Sequence, residues 1–127
     1  MSDAHQLGDL QAAIMDVLWQ RGEAAVTEVH SDLEPVRGLA PTTIATMLKK
    51  MEVKGVVTYR RDGRRFLYRP VVSRAEVRRS MVGELTRRLF GGRPTALVGH
   101  LLDEQGLDAE ELDALKLLIA EHEEASS

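Results

Sequence analysis

The side chains with the clearest chemistry lie between residues 42 and 65: Thr42, Thr43, Thr46, Lys49 and Lys50, then Arg60, Arg61, Arg64 and Arg65. Hydroxyls of this kind bond base edges or phosphates, threonine methyls meet thymine methyls, and lysine and arginine neutralise phosphate. At helical spacing the threonines and lysines share one face, opposite an apolar stripe of Ile44, Met47, Leu48 and Met51. Taken alone, that face is also what an ordinary solvated helix shows. The arginines weigh more, because they bracket Asp62-Gly63 and put four guanidiniums on one turn. An ordinary surface hairpin mixes its signs to avoid self-repulsion, whereas phosphate would neutralise such a cluster. Edge protection by charge is the competing explanation.

Other chemistry is poorly represented. The chain has no cysteine, which excludes disulfides, thiolate metal sites and cysteine nucleophiles. His100 and Glu104 stand at i, i+4 but have no third ligand at sensible spacing, His30 and His122 read as helix-surface residues, and His5 reads as part of a tail. Neither a Gly-rich phosphate loop nor a nucleophile elbow is present, so no catalytic role, metal or cofactor is expected. The net charge of −3 hides a segregation. Residues 41–79 carry eleven Lys and Arg against three acids, and residues 103–127 carry nine acids against Lys116. One part of the chain therefore suits a polyanion and another does not. No apolar run approaches a bilayer-spanning length, and Met1–Gln6 has no leader features, so a cytoplasmic protein is expected.

The elements that must position these residues can be read from periodicity and punctuation. Leu7, Leu10, Ile14, Val17 and Leu18 predict a first helix over about 9–21, with Gly8 and Gln11 as a weak start, Gly22 as stop and Trp19 packing beneath the chain after it. Thr27 is the expected N-cap of a short second helix carrying Val29 and Leu33 and ended by Pro35. Pro41 opens the third helix and Gly55 stops it, while Ala40 occupies the N-cap without a side chain able to cap. Two β-runs, 56–60 and 65–69, flank Asp62-Gly63, a hairpin signal. Ser73-Arg74-Ala75-Glu76 is a capping box with Val72 and Val77 as its hydrophobic staple. It opens a fourth helix with Val77, Met81, Leu85 and Leu89 inward, closed by Gly91-Gly92. Pro94 starts a fifth helix through Leu97, Val98, Leu101 and Leu102, and Asp108 caps a sixth with Leu112, Leu115, Leu118 and Ile119.

This order predicts a mainly α chain with a small β-hairpin wing: an N-terminal winged helix-turn-helix domain over 1–72 and a C-terminal three-helix dimerisation domain over 73–127. In such a fold the third helix enters the major groove. The last segment is about 55 residues, marginal as an independent core, so its apolar stripes want a partner. A second copy is the simplest, giving an isologous homodimer through Val77, Met81, Leu85, Leu89, Leu97, Leu101, Leu112, Leu115 and Ile119.

The stretches Leu18-Trp19, Pro41–Leu48, Lys54-Gly55, Phe66-Leu67-Tyr68, Phe90-Gly91-Gly92 and Leu97-Val98 resemble the penicillinase-repressor family of BlaI and MecI type, in register from Leu7 to Glu121. The resemblance implies a bacterial homodimeric repressor of inverted repeats with TACA and TGTA halves, set upstream of resistance genes and often of its own operon. It places the base- and phosphate-contacting helix residues on Thr42, Thr43, Ala45, Thr46 and Lys50. Ala45 and Thr42 depart from the arginine and the basic residue common at those positions in the family, which implies a missing contact and an altered base preference. It further implies release from DNA when a membrane sensor-protease system triggers cleavage, the matching bond being His100-Leu101. Two alternatives stay open: a winged-helix adaptor whose basic face meets an acidic protein, and a repressor sensing a small molecule between its C-terminal helices.

Overall fold

A computed structural model of the chain describes residues 5–104 and 106–126. Met1–Ala4, most of the stretch without leader features, lie outside the described residues. The elements run α1 (Asp9–Arg21), β1 (Ala24–Ala25), α2 (Val26–Arg37), α3 (Pro41–Lys54), β2 (Val57–Asp62), β3 (Arg65–Pro70), α4 (Arg74–Phe90), α5 (Pro94–Glu104) and α6 (Ala109–Ser126). They divide into two compact units, Met1–Gly83 and Glu84–Ser127, and α4 contributes to both.

The first unit is built on one apolar core. Ile14, Met15 and Leu18 of α1, Val29 of α2, and Ile44, Leu48 and Met51 of α3 are fully buried with Val56. A three-stranded antiparallel sheet of order β1-β3-β2 completes the unit. β1 is two alanines long, pairing Ala24 with Tyr68 and Ala25 with Leu67, too short to leave a periodic signal. Trp19 does lie beneath later chain, its indole N–H donating to the carbonyl of Val72 at 2.9 Å and the Arg74 guanidinium 5.2 Å from its ring.

Several local expectations are corrected. α2 starts at Val26, and Thr27 is already helical; the N-cap is Ala25, whose N–H donates to Glu28 Oε1 at 2.9 Å. The acidic residue three positions on thus supplies half of a capping box without a hydroxyl. Pro35 does not end α2, which runs to Arg37. Without an N–H, Pro35 forfeits one i→i−4 bond, yet the helix holds until Gly38 at φ +61 supplies the stop, donating its N–H to Glu34 O at 2.9 Å. The hairpin turn sits one residue later than Asp62-Gly63. Asp62 pairs with Arg65, leaving Gly63 and Arg64 as the loop, and Gly63 alone has positive φ, +67. Positive φ at only the first loop position is the type II′ pattern.

α3 lies where the sequence puts it, with Pro41 in its first turn and Gly55 at φ +93 as its stop. Ala40 makes no side-chain cap bond. The capping box of α4 is complete: Ser73 N–H donates to Glu76 Oε1 at 3.2 Å, and Glu76 N–H donates to Ser73 Oγ at 3.0 Å. His5 is no loose tail, since its Nε2 lies 3.3 Å from Glu76 Oε2. Gln6 follows it inward, donating to Ser80 Oγ at 2.9 Å while Lys54 donates to its carbonyl.

The stripe expected to point inward along α4 is only half covered. Val77 is buried and Met81 packs on the core of the first unit, but Leu85 and Leu89 are 42% and 71% exposed. In the second unit, α5 and α6 contain no buried residue. Asp108 does cap α6, accepting the Glu111 N–H at 2.8 Å, although Leu112, the first residue of its apolar stripe, stays exposed.

These caps can be tested by substitution. Ala40→Ser supplies the missing acceptor at the N-terminus of α3 and should raise unfolding free energy by about 0.5–1 kcal/mol in urea titrations. Glu76 is held below its ordinary 4.5 by Ser73, through hydroxyl and then backbone, and further by His5. Its folded value is depressed, so the stabilisation is complete above the ordinary value and is lost as pH falls through the folded one. Glu76→Gln should therefore lower Tm at neutral pH and converge with the wild type in acid.

Candidate nucleic-acid interface

α3 presents one face to the core and the other to solvent. With Ile44, Leu48 and Met51 buried, Thr42, Thr43, Thr46, Lys49 and Lys50 are all exposed, and Ala45 is half-buried. Val53 prolongs the exposed stripe and is 79% accessible. Thr46, Lys49, Lys50 and Val53 together line a shallow hollow of about 280 Å³. Lys49 also lines a second hollow of about 360 Å³ with Glu52 of α3 and Tyr59, Phe66 and Tyr68 of the hairpin. The helix face and the hairpin therefore meet at Lys49.

Strand pairing sorts the wing side chains in a way the arginine cluster alone does not reveal. Successive residues of a strand point to opposite faces, and directly paired residues share one. Tyr59 pairs with Tyr68 and Arg61 with Phe66, so these four occupy one face; Arg60 pairs with Leu67 and Asp62 with Arg65 on the other. On the first face the Tyr59 ring stands edge-on to Phe66 at 4.9 Å and lies 5.5 Å from Tyr68, and Arg61 sits 5.7 Å from the Phe66 ring centre. Burial pushes the Tyr68 phenol up, with Tyr59 and Glu52 adding to the effect.

The opposite face is neutralised within the chain. Arg60 makes a bidentate pair with Glu23, both bonds 2.8 Å. Arg65 lies 3.6 Å from Asp62 and 4.0 Å from Glu28. The four arginines thus do not form one cationic tip. Arg64, exposed in the loop, has no carboxylate partner among the described residues, and neither do Lys49, Lys50 and Arg61. The aromatic face and Glu23 were not singled out from the sequence. Period-2 alternation across residues 59–68 carries the signal for the first; nothing local marks the second.

A family model described as penicillinase repressor matches residues 7–121. The chain belongs to the penicillinase-repressor family. It is 39% identical over 125 residues to the transcriptional regulator BlaI of Mycobacterium tuberculosis, covering 97% of this chain and 89% of that protein. The penicillinase repressor of Bacillus licheniformis is 26% identical over 122 residues, covering 96% and 95%. Among solved structures, the DNA-binding domain of the repressor BlaI superposes with a TM-score of 0.53 and 29% identity, over 60% of this chain and 93% of that domain. The winged-helix reading of the first unit is thereby established, and the family is one of transcriptional repressors rather than enzymes.

Proposed function

We propose that this penicillinase-repressor family member is a cytoplasmic, DNA-binding transcriptional repressor that acts as a homodimer on an inverted-repeat operator of TACA/TGTA type. The observation that carries the reading is the exposed Thr–Lys stripe of α3 running, through Lys49, into a wing whose Arg61 and Arg64 have no carboxylate partner among the described residues. Thr42, Thr43 and Thr46 read base edges, with Ala45 at a position that supplies no polar contact. Lys49, Lys50, Arg61 and Arg64 take phosphates, and the resulting affinity falls steeply with salt. An acidic protein partner would be recognised by the same cations but gives no account of the hydroxyl stripe.

Dimerisation is supported by the lack of cover in the second unit. Leu85, Leu89, Leu101, Leu112 and Ile119 are all exposed in the single chain, and Leu97 and Leu115 are half-buried. Helices with so little burial are marginal alone, and a second copy supplies the missing apolar contact across the part proposed as residues 73–127. Val77 and Met81 already serve the core of the first unit and contribute less to that interface. Linking two weak half-sites gives the operator affinity, so loosening the dimer is the route to release. The His100–Leu101 bond lies inside α5, with the His100 ring 5.7 Å from that of Phe90. A protease triggered by a membrane sensor reaches that bond only after local unwinding of the helix.

Binding of the purified protein to an inverted-repeat duplex and to random duplex, at two salt concentrations, tests the reading; equal affinity for both overturns it. Lys50→Ala should weaken binding to every sequence and reduce the salt slope by about 0.9 per half-site. Thr46→Ala should change the preference between sequences by about 1 kcal/mol and leave the slope alone. Leu89→Glu combined with Ile119→Glu should give a monomer in sedimentation and cut operator affinity by about 100-fold or more, without unfolding the winged-helix unit.

A further inference from the structure

The wing arginines expected to act as one cluster are divided by the sheet into two chemically different pairs. Arg61 and Arg64 have no carboxylate partner among the described residues, whereas Arg60 and Arg65 face acids of the same unit. Glu23 stands between Gly22, which ends α1, and Ala24, which opens β1. Its two carboxylate oxygens accept from Arg60 Nε and one terminal nitrogen at 2.8 Å each, the fork geometry in which a guanidinium and a carboxylate match best. The Glu23 side chain is only 29% exposed and that of Arg60 57%, and strand alternation puts Arg60 on the face opposite Tyr59, Arg61 and Phe66.

Held this way, Arg60 has its charge already met by Glu23 and only its other terminal nitrogen left to donate, and a phosphate approaching that nitrogen is repelled by the adjacent carboxylate. The neighbouring contacts repeat the pattern. Glu28 holds the Ala25 N–H with one oxygen and Arg21 with the other, and Arg65 approaches the first of these. The turn between α1 and α2 is thus an acidic seat beneath one face of the hairpin.

Resting on the DNA-binding reading above, we propose that Arg60 is a positioning residue rather than a phosphate contact. Clasped by Glu23, it fixes the hairpin on the α1–α2 turn so that Arg61 and Arg64 meet the DNA backbone. Glu23 is then as necessary to DNA binding as the arginine it holds, although it carries the wrong charge for DNA.

The two roles give opposite signs for Glu23→Gln. If Arg60 served phosphate, removing the competing carboxylate would tighten binding. As a clasp, its loss should weaken binding about threefold per half-site, the range of an exposed ion pair. The experiment titrates wild type, Glu23→Gln, Arg60→Gln and the exchange Glu23→Arg/Arg60→Glu against a TACA/TGTA inverted-repeat duplex over a salt series. Amide hydrogen exchange across residues 57–70 is measured in parallel without DNA. Both single variants should bind more weakly with an unchanged salt slope and exchange faster in the hairpin, and the charge exchange should restore both. The proposal is overturned if Glu23→Gln binds more tightly, if Arg60→Gln lowers the slope by about 0.9 per half-site, or if the charge exchange restores hairpin protection but not binding. Wild type that binds no duplex at either end of the salt series would instead overturn the DNA reading itself, and the clasp with it.

Discussion

Burial of Ile44, Leu48 and Met51 is the constraint on which the rest of the first unit depends. Those three residues lie at i, i+4 and i+7, so seating them against α1 and α2 fixes the rotation of α3 about its own axis. Once that rotation is set, Thr42, Thr46, Lys49 and Lys50 have no choice but solvent. The same packing brings the hairpin up beside Lys49, because Val56 is buried immediately after the helix stop at Gly55. The proposed reading surface is the remainder left by the core, and its geometry is inherited from core packing.

The wing shows how a sheet can turn a crude charge cluster into a directional device. Alternation places an aromatic–cationic face beside α3 and an ion-paired face against the α1–α2 turn. Exposed ion pairs contribute little to stability one by one. In the proposed clasp their value is geometric, since β2 and β3 run on beyond the two-residue β1 as a ribbon of two strands.

The second unit works on the opposite principle. Its helices are well punctuated, with Gly91 and Gly92 both at positive φ, Pro94 at the start of α5 and Asp108 capping α6. Yet leucines along α4, α5 and α6 remain open to solvent in the single chain. With no buried residue in α5 or α6 among the described residues, the stability of these helices is tied to whatever covers them.

From sequence alone, the order of the six helices and the hairpin, the apolar stripe of α3, the capping box at Ser73 and the basic stretch between Pro41 and Arg79 were all legible. Each rests on local chemistry: helical spacing, glycine at a stop, a hydroxyl three residues before a glutamate. The alanine strand β1, the continuation of α2 past Pro35 and the shift of the hairpin loop to Gly63-Arg64 were not, because a partner strand or one neighbouring residue decided them. The partition of the arginines was the largest change. Four like charges around a turn look equivalent in a string of letters, and only the sheet, by setting Arg60 over Glu23 and leaving Arg64 at the tip, made them different. Spacing along the chain determines which face a side chain takes; what waits on that face is a property of elements distant in sequence, and only the tertiary structure supplies it.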